Sequence, residues 1–209
     1  DGKIHVPFGV FSPLRGEYLD LIAQAPLAPN IQTAFDIGTG SGVIAAILAK
    51  RGIPAIIATD TNHKAIVCAT ANLERLGLDK AVSIQSIDLF PESCADLIVC
   101  NPPWLPAKPT SAIETALYDP NHAMLTAFLN GVRKHLNPNG EVWLIISDLA
   151  EHLHLRDKDF LNQSFQTASL NVVDILKTKP QHKRAIDESD PLAFARNKET
   201  TYLYRLKAI

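Results

Sequence analysis

Four short clusters carry the residue types that could do chemistry, and each follows a β-branched apolar run. The first is Asp36-Ile37-Gly38-Thr39-Gly40-Ser41-Gly42. Its glycines let the backbone turn sharply and let a ligand approach main-chain N–H groups. The spacing is G-x-G-x-G, not the dinucleotide G-x-G-x-x-G, and Asp36 sits inside the strand end. That carboxylate would repel a pyrophosphate and attract a ligand carrying an ammonium group. Asp60, followed by Thr61, closes the second run. It can accept hydrogen bonds from both hydroxyls of a ribose, or cap the helix that follows. Asp88-Leu89 offers an acceptor for an adenine amino group, or an ordinary turn before Pro91.

The fourth cluster, Asn101-Pro102-Pro103-Trp104, is the sharpest. Two prolines forbid any continuation of the strand before them. As plain structure the motif is a rigid strand-to-loop turn with a packed tryptophan. As chemistry, the Asn101 side-chain oxygen and the Pro102 carbonyl accept both hydrogens of a planar NH2 group, and Trp104 stacks on its face. Holding both N–H bonds aims the nitrogen lone pair at an electrophile. Taken with the three upstream clusters, the chemical function is favoured.

The elements that must position these clusters alternate between strand and helix, as in a parallel sheet covered by helices. Strands are expected at Thr33 to Ile37, Ala55 to Thr59, Val82 to Ile87, Asp96 to Cys100, Glu141 to Ser147, Asn171 to Leu176 and Thr201 to Leu206. Helices are expected at Val43 to Lys50, from near Asn62 to Gly77, at His122 to Leu136, and at Leu149 to about Ser169. Asn137-Pro138-Asn139-Gly140 reads as the stop of the third of these helices, and residues 177–200 read as a long polar loop. Residues 1–30 read as an N-terminal extension with a helix at Glu17 to Gln24, and residues 31–209 as the main domain. In an open parallel sheet, ligands bind at the carboxyl ends of the strands, where all four clusters fall.

Composition narrows the class. With 209 residues and 46% hydrophobic content the chain suits one folded domain and excludes extensive disorder. A formal charge of −2 excludes a strongly basic nucleic-acid sleeve and leaves room for a local patch. No apolar run reaches the length of a membrane span. Cys68, Cys94 and Cys100 read as buried thiols of a reducing cytoplasm, with Cys100 a core residue rather than a nucleophile. His152 and His154 face different sides of a helix, so no metal site is expected. Lys177, Lys179, Lys183 and Arg184 form a solvated loop or a phosphate-contacting edge, with Asp187, Glu188 and Asp190 next to them. The opening Asp1-Gly2-Lys3 and the single methionine, Met124, suggest a piece of a longer protein with an upstream region.

Together the four clusters resemble class I S-adenosylmethionine-dependent methyltransferases, and more narrowly the branch with an [N/D]-P-P-[Y/F/W] motif. The resemblance covers residues 31–209 and implies a doubly wound α/β, Rossmann-like, mostly parallel sheet with an antiparallel last strand. It implies that Asp36, Gly38, Thr39, Gly40 and Gly42 surround the methionine moiety of S-adenosylmethionine. By the same likeness Asp60 and Thr61 meet the ribose, Asp88 and Leu89 the adenine, and Asn101, Pro102, Pro103 and Trp104 do the catalysis. Members of the branch methylate exocyclic amines of adenine or guanine in nucleic acid, or the glutamine amide of translation release factors, leaving S-adenosylhomocysteine. The stretch Val10 to Glu17 is loosely similar to the segment before the first strand in the glutamine methyltransferases, and Trp104 stands where they have tyrosine. The implied acceptor is therefore a protein or a nucleic acid, in the translation apparatus for the glutamine case. A catalytically silent scaffold that binds the cofactor is the alternative, and the intact Asn101 to Trp104 motif disfavours it.

Overall fold

Thr33–Ile37, Ala55–Thr59 and Ala95–Cys100 are runs of five or six residues rich in Ala, Ile and Val. Such runs suit strands buried on both faces. A computed structural model describes residues 3–10, 16–107, 118–180 and 193–209. In it these runs become β1 (Thr33–Ile37), β2 (Ala55–Thr59) and β4 (Ala95–Cys100), joined by β3 (Val82–Gln85), β5 (Leu136–Ser147), β6 (Leu170–Thr178) and β7 (Thr201–Ala208). The seven strands form one sheet in the order β3-β2-β1-β4-β5-β7-β6. Pairings among β1 to β5 are parallel, and β7 runs antiparallel to both β5 and β6. The expected doubly wound α/β sheet with its antiparallel last strand is the one observed. Chain progression reverses between β1 and β4, so their carboxyl ends form the topological switch point, where ligands bind in folds of this kind.

The two sheet faces carry separate cores. Ala34, Leu97, Val99, Trp143, Ile145 and Leu203 pack with Tyr18 and Ile22 of α1 (Glu17–Gln24), Ile44 and Leu48 of α2 (Val43–Lys50), and Leu73 of α3 (His63–Arg75). On the opposite face Phe35, Ile37, Ile98, Cys100, Val142 and Leu144 meet α4 (Ala123–Val132) and α6 (Phe160–Thr167). The strict alternation of β1, β4 and β5 divides these sets. Its consequence for the site is direct: Asp36 lies between Phe35 and Ile37, so it points to the α1 and α2 face. One step past Cys100, Asn101 turns to that same face. Residues 3–10 also join the body. Asn72 of α3 accepts from His5 N–H at 2.9 Å and donates to the carbonyls of His5 and Ser41 at 2.9 and 3.0 Å.

Several expected boundaries move. β5 begins at Leu136, because Asn137-Pro138-Asn139-Gly140 forms an irregular excursion within the strand rather than a helix stop. The Asn137 amide is held there by Asp96 Oδ1 at 2.8 Å. The long helix expected from Leu149 to Ser169 is two helices, α5 (Leu149–His152) and α6, and His154 between them takes a left-handed φ of 58°. β3 stops at Gln85, short of Ile87. Cys68 and Cys100 are buried as expected, but Cys94 is exposed, in the turn before β4. A short helix α7 (Ala193–Arg196) lies in the loop expected at 177–200, whose Lys183, Arg184, Asp187, Glu188 and Asp190 fall outside the described residues. Among the described residues no helix is long and apolar enough to cross a membrane.

Candidate functional site

The glycine loop leaves β1 with Gly38, Gly40 and Gly42 all at positive φ, 72°, 56° and 80°. Thr39 N–H reaches across to the Thr59 carbonyl at 2.8 Å, and Gly42 N–H closes the turn on the Thr39 carbonyl at 2.9 Å. The three positions differ in what surrounds them. A Cβ at Gly42 would sit 3.1 Å from Ala69 Cβ, and one at Gly38 would sit 3.1 Å from Met124 Cε. A Cβ at Gly40 would meet nothing within 4 Å. Two glycines therefore sit in close packing, and the third borders open space.

Asp36, at the end of β1, is fully buried. Its Oδ2 accepts from Thr39 Oγ1 at 2.6 Å and from Ala45 N–H at 3.0 Å, while its Oδ1 has no partner. Burial raises the carboxyl from its ordinary value to about 6; the Thr39 and Ala45 bonds oppose the rise and the charge of Asp60 adds to it. A buried carboxylate oxygen without a partner is an unmet hydrogen-bonding demand, of the kind a cation-bearing ligand would satisfy. Asp60 is held at both oxygens, by Gly40 N–H on Oδ2 at 2.9 Å and Asn62 N–H on Oδ1 at 2.8 Å. Each oxygen keeps a lone pair for a hydroxyl donor. The α3 cap is Asn62, whose side chain accepts from Lys64 N–H, so Asp60 is not needed for capping. Thr61 is exposed beside it. Asp88 follows β3 at the same edge with its side chain exposed. Leu89, at φ 53°, is locked by its carbonyl to Thr59 Oγ1 at 2.7 Å.

The Asn101 motif is more tightly organised than its sequence suggests. Trp104 folds back so that its indole Nε1 donates to Asn101 Oδ1 at 2.9 Å. Pro102 is buried, whereas Asn101, Pro103 and Trp104 are half-buried. Behind Trp104 stands a residue that pattern reasoning missed. Tyr18 of α1 packs edge-on against the indole, ring centroids 6.3 Å apart at 80°. The Tyr18 hydroxyl is pushed well above its ordinary value by burial, then by the charge of Asp36, while a hydrogen bond with the Asn101 side chain pulls the other way. The helical spacing of Tyr18, Ile22 and Ala25 marks this face as buried, and a hydroxyl on such a face was the available signal.

Asp119 is the second missed residue. It is buried, and its two oxygens accept from Met124 N–H at 2.8 Å and Leu125 N–H at 3.0 Å, capping α4. Its own N–H bonds the Leu105 carbonyl at 2.8 Å, tying the chain just past Trp104 to α4. Buried Cys100 lies between: burial lifts its thiol far above the usual range, and the charges of Asp36 and Asp119 lift it further. It is a core thiol. Among the described residues no three His, Cys, Asp or Glu side chains are placed to hold a metal.

The family described as methyltransferase small domain matches residues 3–174. The chain belongs to that family. Among similar proteins, the release factor glutamine methyltransferase of Cereibacter sphaeroides is 34% identical over 140 residues, covering 60% of this chain and 50% of that protein. The tRNA1(Val) (adenine(37)-N6)-methyltransferase of Cytophaga hutchinsonii is 34% identical over 134 residues, covering 60% of this chain and 56% of that one. The chain thus spans about half the length of these relatives. A SAM-dependent methyltransferase from Thiobacillus denitrificans, solved with S-adenosyl-L-homocysteine, shares the fold at a TM-score of 0.59 and 17% identity, over 95% of this chain and 92% of that one. The strand-end clusters of this chain lie at neighbouring strand ends: Asp36 closes toward the glycine loop after β1, whose Gly40 is bonded by Asp60 after β2, and Asn101 follows the adjacent β4.

Proposed function

We propose that this methyltransferase-family chain transfers a methyl group from S-adenosylmethionine to a planar nitrogen, leaving S-adenosylhomocysteine. The acceptor is a protein glutamine amide or an exocyclic amine of a nucleobase, the two chemistries named for its relatives. The observation that carries the proposal is the pairing, at the adjacent ends of β1 and β4, of a glycine loop open at Gly40 and bonded to the buried Asp36 carboxylate with an Asn-Pro-Pro-Trp turn.

In this assignment Asp36 faces the ammonium end of the cofactor, and Gly38, Thr39, Gly40 and Gly42 shape the loop beside it. Asp60, with Thr61, receives the ribose hydroxyls, and Asp88 with Leu89 borders the adenine. The bound cofactor supplies a methyl group on a sulfonium already activated for displacement. The chain's contribution is position more than acid–base chemistry. Asn101 Oδ1, which keeps a second lone pair beyond its bond to Trp104, and the Pro102 carbonyl accept the two N–H bonds of the acceptor. As the nitrogen gains positive character, those two oxygens stabilise it more than they did the ground state. The proton then leaves to water, so no histidine base is required. Residues 31–209 form the transfer domain and residues 1–30 supply the helix behind Trp104. The free thiols of Cys68, Cys94 and Cys100 suit a cytoplasmic setting.

The deciding experiment incubates the protein and labelled S-adenosylmethionine with cell extract, then digests separate portions with protease and nuclease. Label entering one fraction, and absent with Asn101→Ala, is the expected result. S-adenosylhomocysteine bound with no label transferred to either fraction would mean a silent scaffold and overturn the proposal.

A further inference from the structure

Leu89 stands at φ 53°, a left-handed backbone that a leucine adopts only when its surroundings enforce it. Two contacts flank the strained position. The Leu89 carbonyl accepts from Thr59 Oγ1 at 2.7 Å, at the end of β2 and next to Asp60. On the other side the chain is held by Phe90. Its ring lies nearly parallel to that of His135, centroids 4.5 Å apart at 7°, and to that of Phe128, 5.6 Å apart at 20°. The same ring rests on α4 at Gly131, where a Cβ would fall 2.7 Å from Phe90 Cε2 and 3.3 Å from Cδ2. A glycine inside a helix is less stable than an alanine there, and here the missing methyl group is what admits the ring. Phe90 thus ties the loop after β3 to α4, the helix that follows the Asn101 motif. Asp88 is exposed, so its place is set by the backbone that carries it.

We propose that Phe90, seated on Gly131, is a positioning residue for the cofactor: it holds Leu89 in its strained turn and so sets Asp88 where the carboxylate accepts from the adenine amine. This rests on the adenine assignment of Asp88 and Leu89 above. It places the source of adenine selectivity in an aromatic seat that does not itself touch the ligand.

The test is titration calorimetry with S-adenosylhomocysteine and with S-inosylhomocysteine, which carries a carbonyl oxygen where adenine carries its amine. A hydrogen bond from that amine to a carboxylate corresponds to about tenfold or more in affinity, and the parent should prefer the adenine compound by that factor. Asp88→Ala should bring the two compounds to within about twofold of each other. Two further variants should do the same. Gly131→Ala drives a Cβ into the ring while suiting the helix better than glycine, and Phe90→Leu keeps an apolar side chain without the ring stack. Partial unfolding weakens both affinities by one factor and leaves their ratio intact, so the ratio separates positioning from a general loss of stability. The parent ratio retained in either Gly131→Ala or Phe90→Leu overturns the proposal. If the parent binds the two compounds alike, or Asp88→Ala keeps the preference, the adenine assignment fails and this one with it. If Asp88→Ala loses the preference while Gly131→Ala keeps it, only this one fails.

Discussion

The indole Nε1 of Trp104 donates a 2.9 Å hydrogen bond to Oδ1 of Asn101, so the last residue of the motif orients the first. A tyrosine or phenylalanine ring in the same place has no donor at that point. Trp104→Phe is therefore expected to lower kcat about tenfold while calorimetric affinity for S-adenosylhomocysteine stays within twofold. Asn101→Ala should lose most turnover and keep the same affinity. Unchanged kcat in Asn101→Ala would remove it from the reaction.

Asp60 ties the glycine loop to the start of α3 through Gly40 and Asn62 N–H groups, and each oxygen keeps a further lone pair. Asp60→Ala should weaken cofactor binding by about 10- to 100-fold, the range for lost hydrogen bonds to a charged acceptor. Titration calorimetry with S-adenosylhomocysteine measures it. Equal affinity would rule out the ribose assignment.

Gly40→Ala and Gly42→Ala place the same methyl group in opposite surroundings. At Gly42 the new carbon meets Ala69 Cβ at 3.1 Å and Ala69 Cα at 3.2 Å, in addition to a left-handed backbone. The expected loss is about 2–4 kcal/mol of folding stability, read as a lower midpoint in urea. At Gly40 the carbon meets nothing, so the loss is the backbone term of about 1–2 kcal/mol. Its larger effect should be on cofactor affinity. A Gly40→Ala protein that binds S-adenosylhomocysteine normally would show that the open space is not where the ligand lies.

Asp36 makes a pH prediction whose sign is opposite to that of a salt-bridged carboxylate. Burial raises its folded pKa from 3.8 to about 6, with Thr39 and Ala45 opposing and Asp60 adding. The folded state then holds the proton more tightly than the unfolded one. Its contribution to stability is fully present below about pH 4 and is lost as pH rises through about 6. Between pH 4 and 7 the thermal midpoint of the parent should fall relative to that of Asp36→Asn, whose amide does not titrate. Cofactor affinity should run the other way, strengthening from pH 5.5 to 7.5 as the carboxylate ionises toward an ammonium ligand. A dissociation constant flat across that range in the parent would contradict the assignment of Asp36.

Much of the scaffold was legible because burial leaves a periodic trace. Ile56 and Ala58, or Leu97 and Val99, are apolar because each faces one of two covered sheet surfaces, and a short apolar run bounded by Gly, Asp or Pro can be little else. The glycine loop and Asn101-Pro102-Pro103-Trp104 were legible because backbone restriction is written in residue type. Less visible were features set by competition between distant segments. Asn137-Pro138-Asn139-Gly140 looks like a helix stop in isolation, and it joins β5 because Asp96 on the neighbouring strand holds Asn137. The break between α5 and α6 rests on His154 adopting a left-handed turn that local propensity disfavours.

By itself, then, the order of residues determined an alternating α/β scaffold and the four strand ends that bear polar groups, since each follows from local pattern and steric restriction. Which of those groups meet was decided by tertiary structure. Asp36 and Asn101 are brought together only because β1 and β4 are adjacent and in register, and Tyr18 reaches Trp104 only because α1 is laid over that face. The orphaned oxygen of Asp36 belongs to the same category: a carboxylate loses its water, and acquires a need for a cationic partner, only when the sheet and its helices close around it.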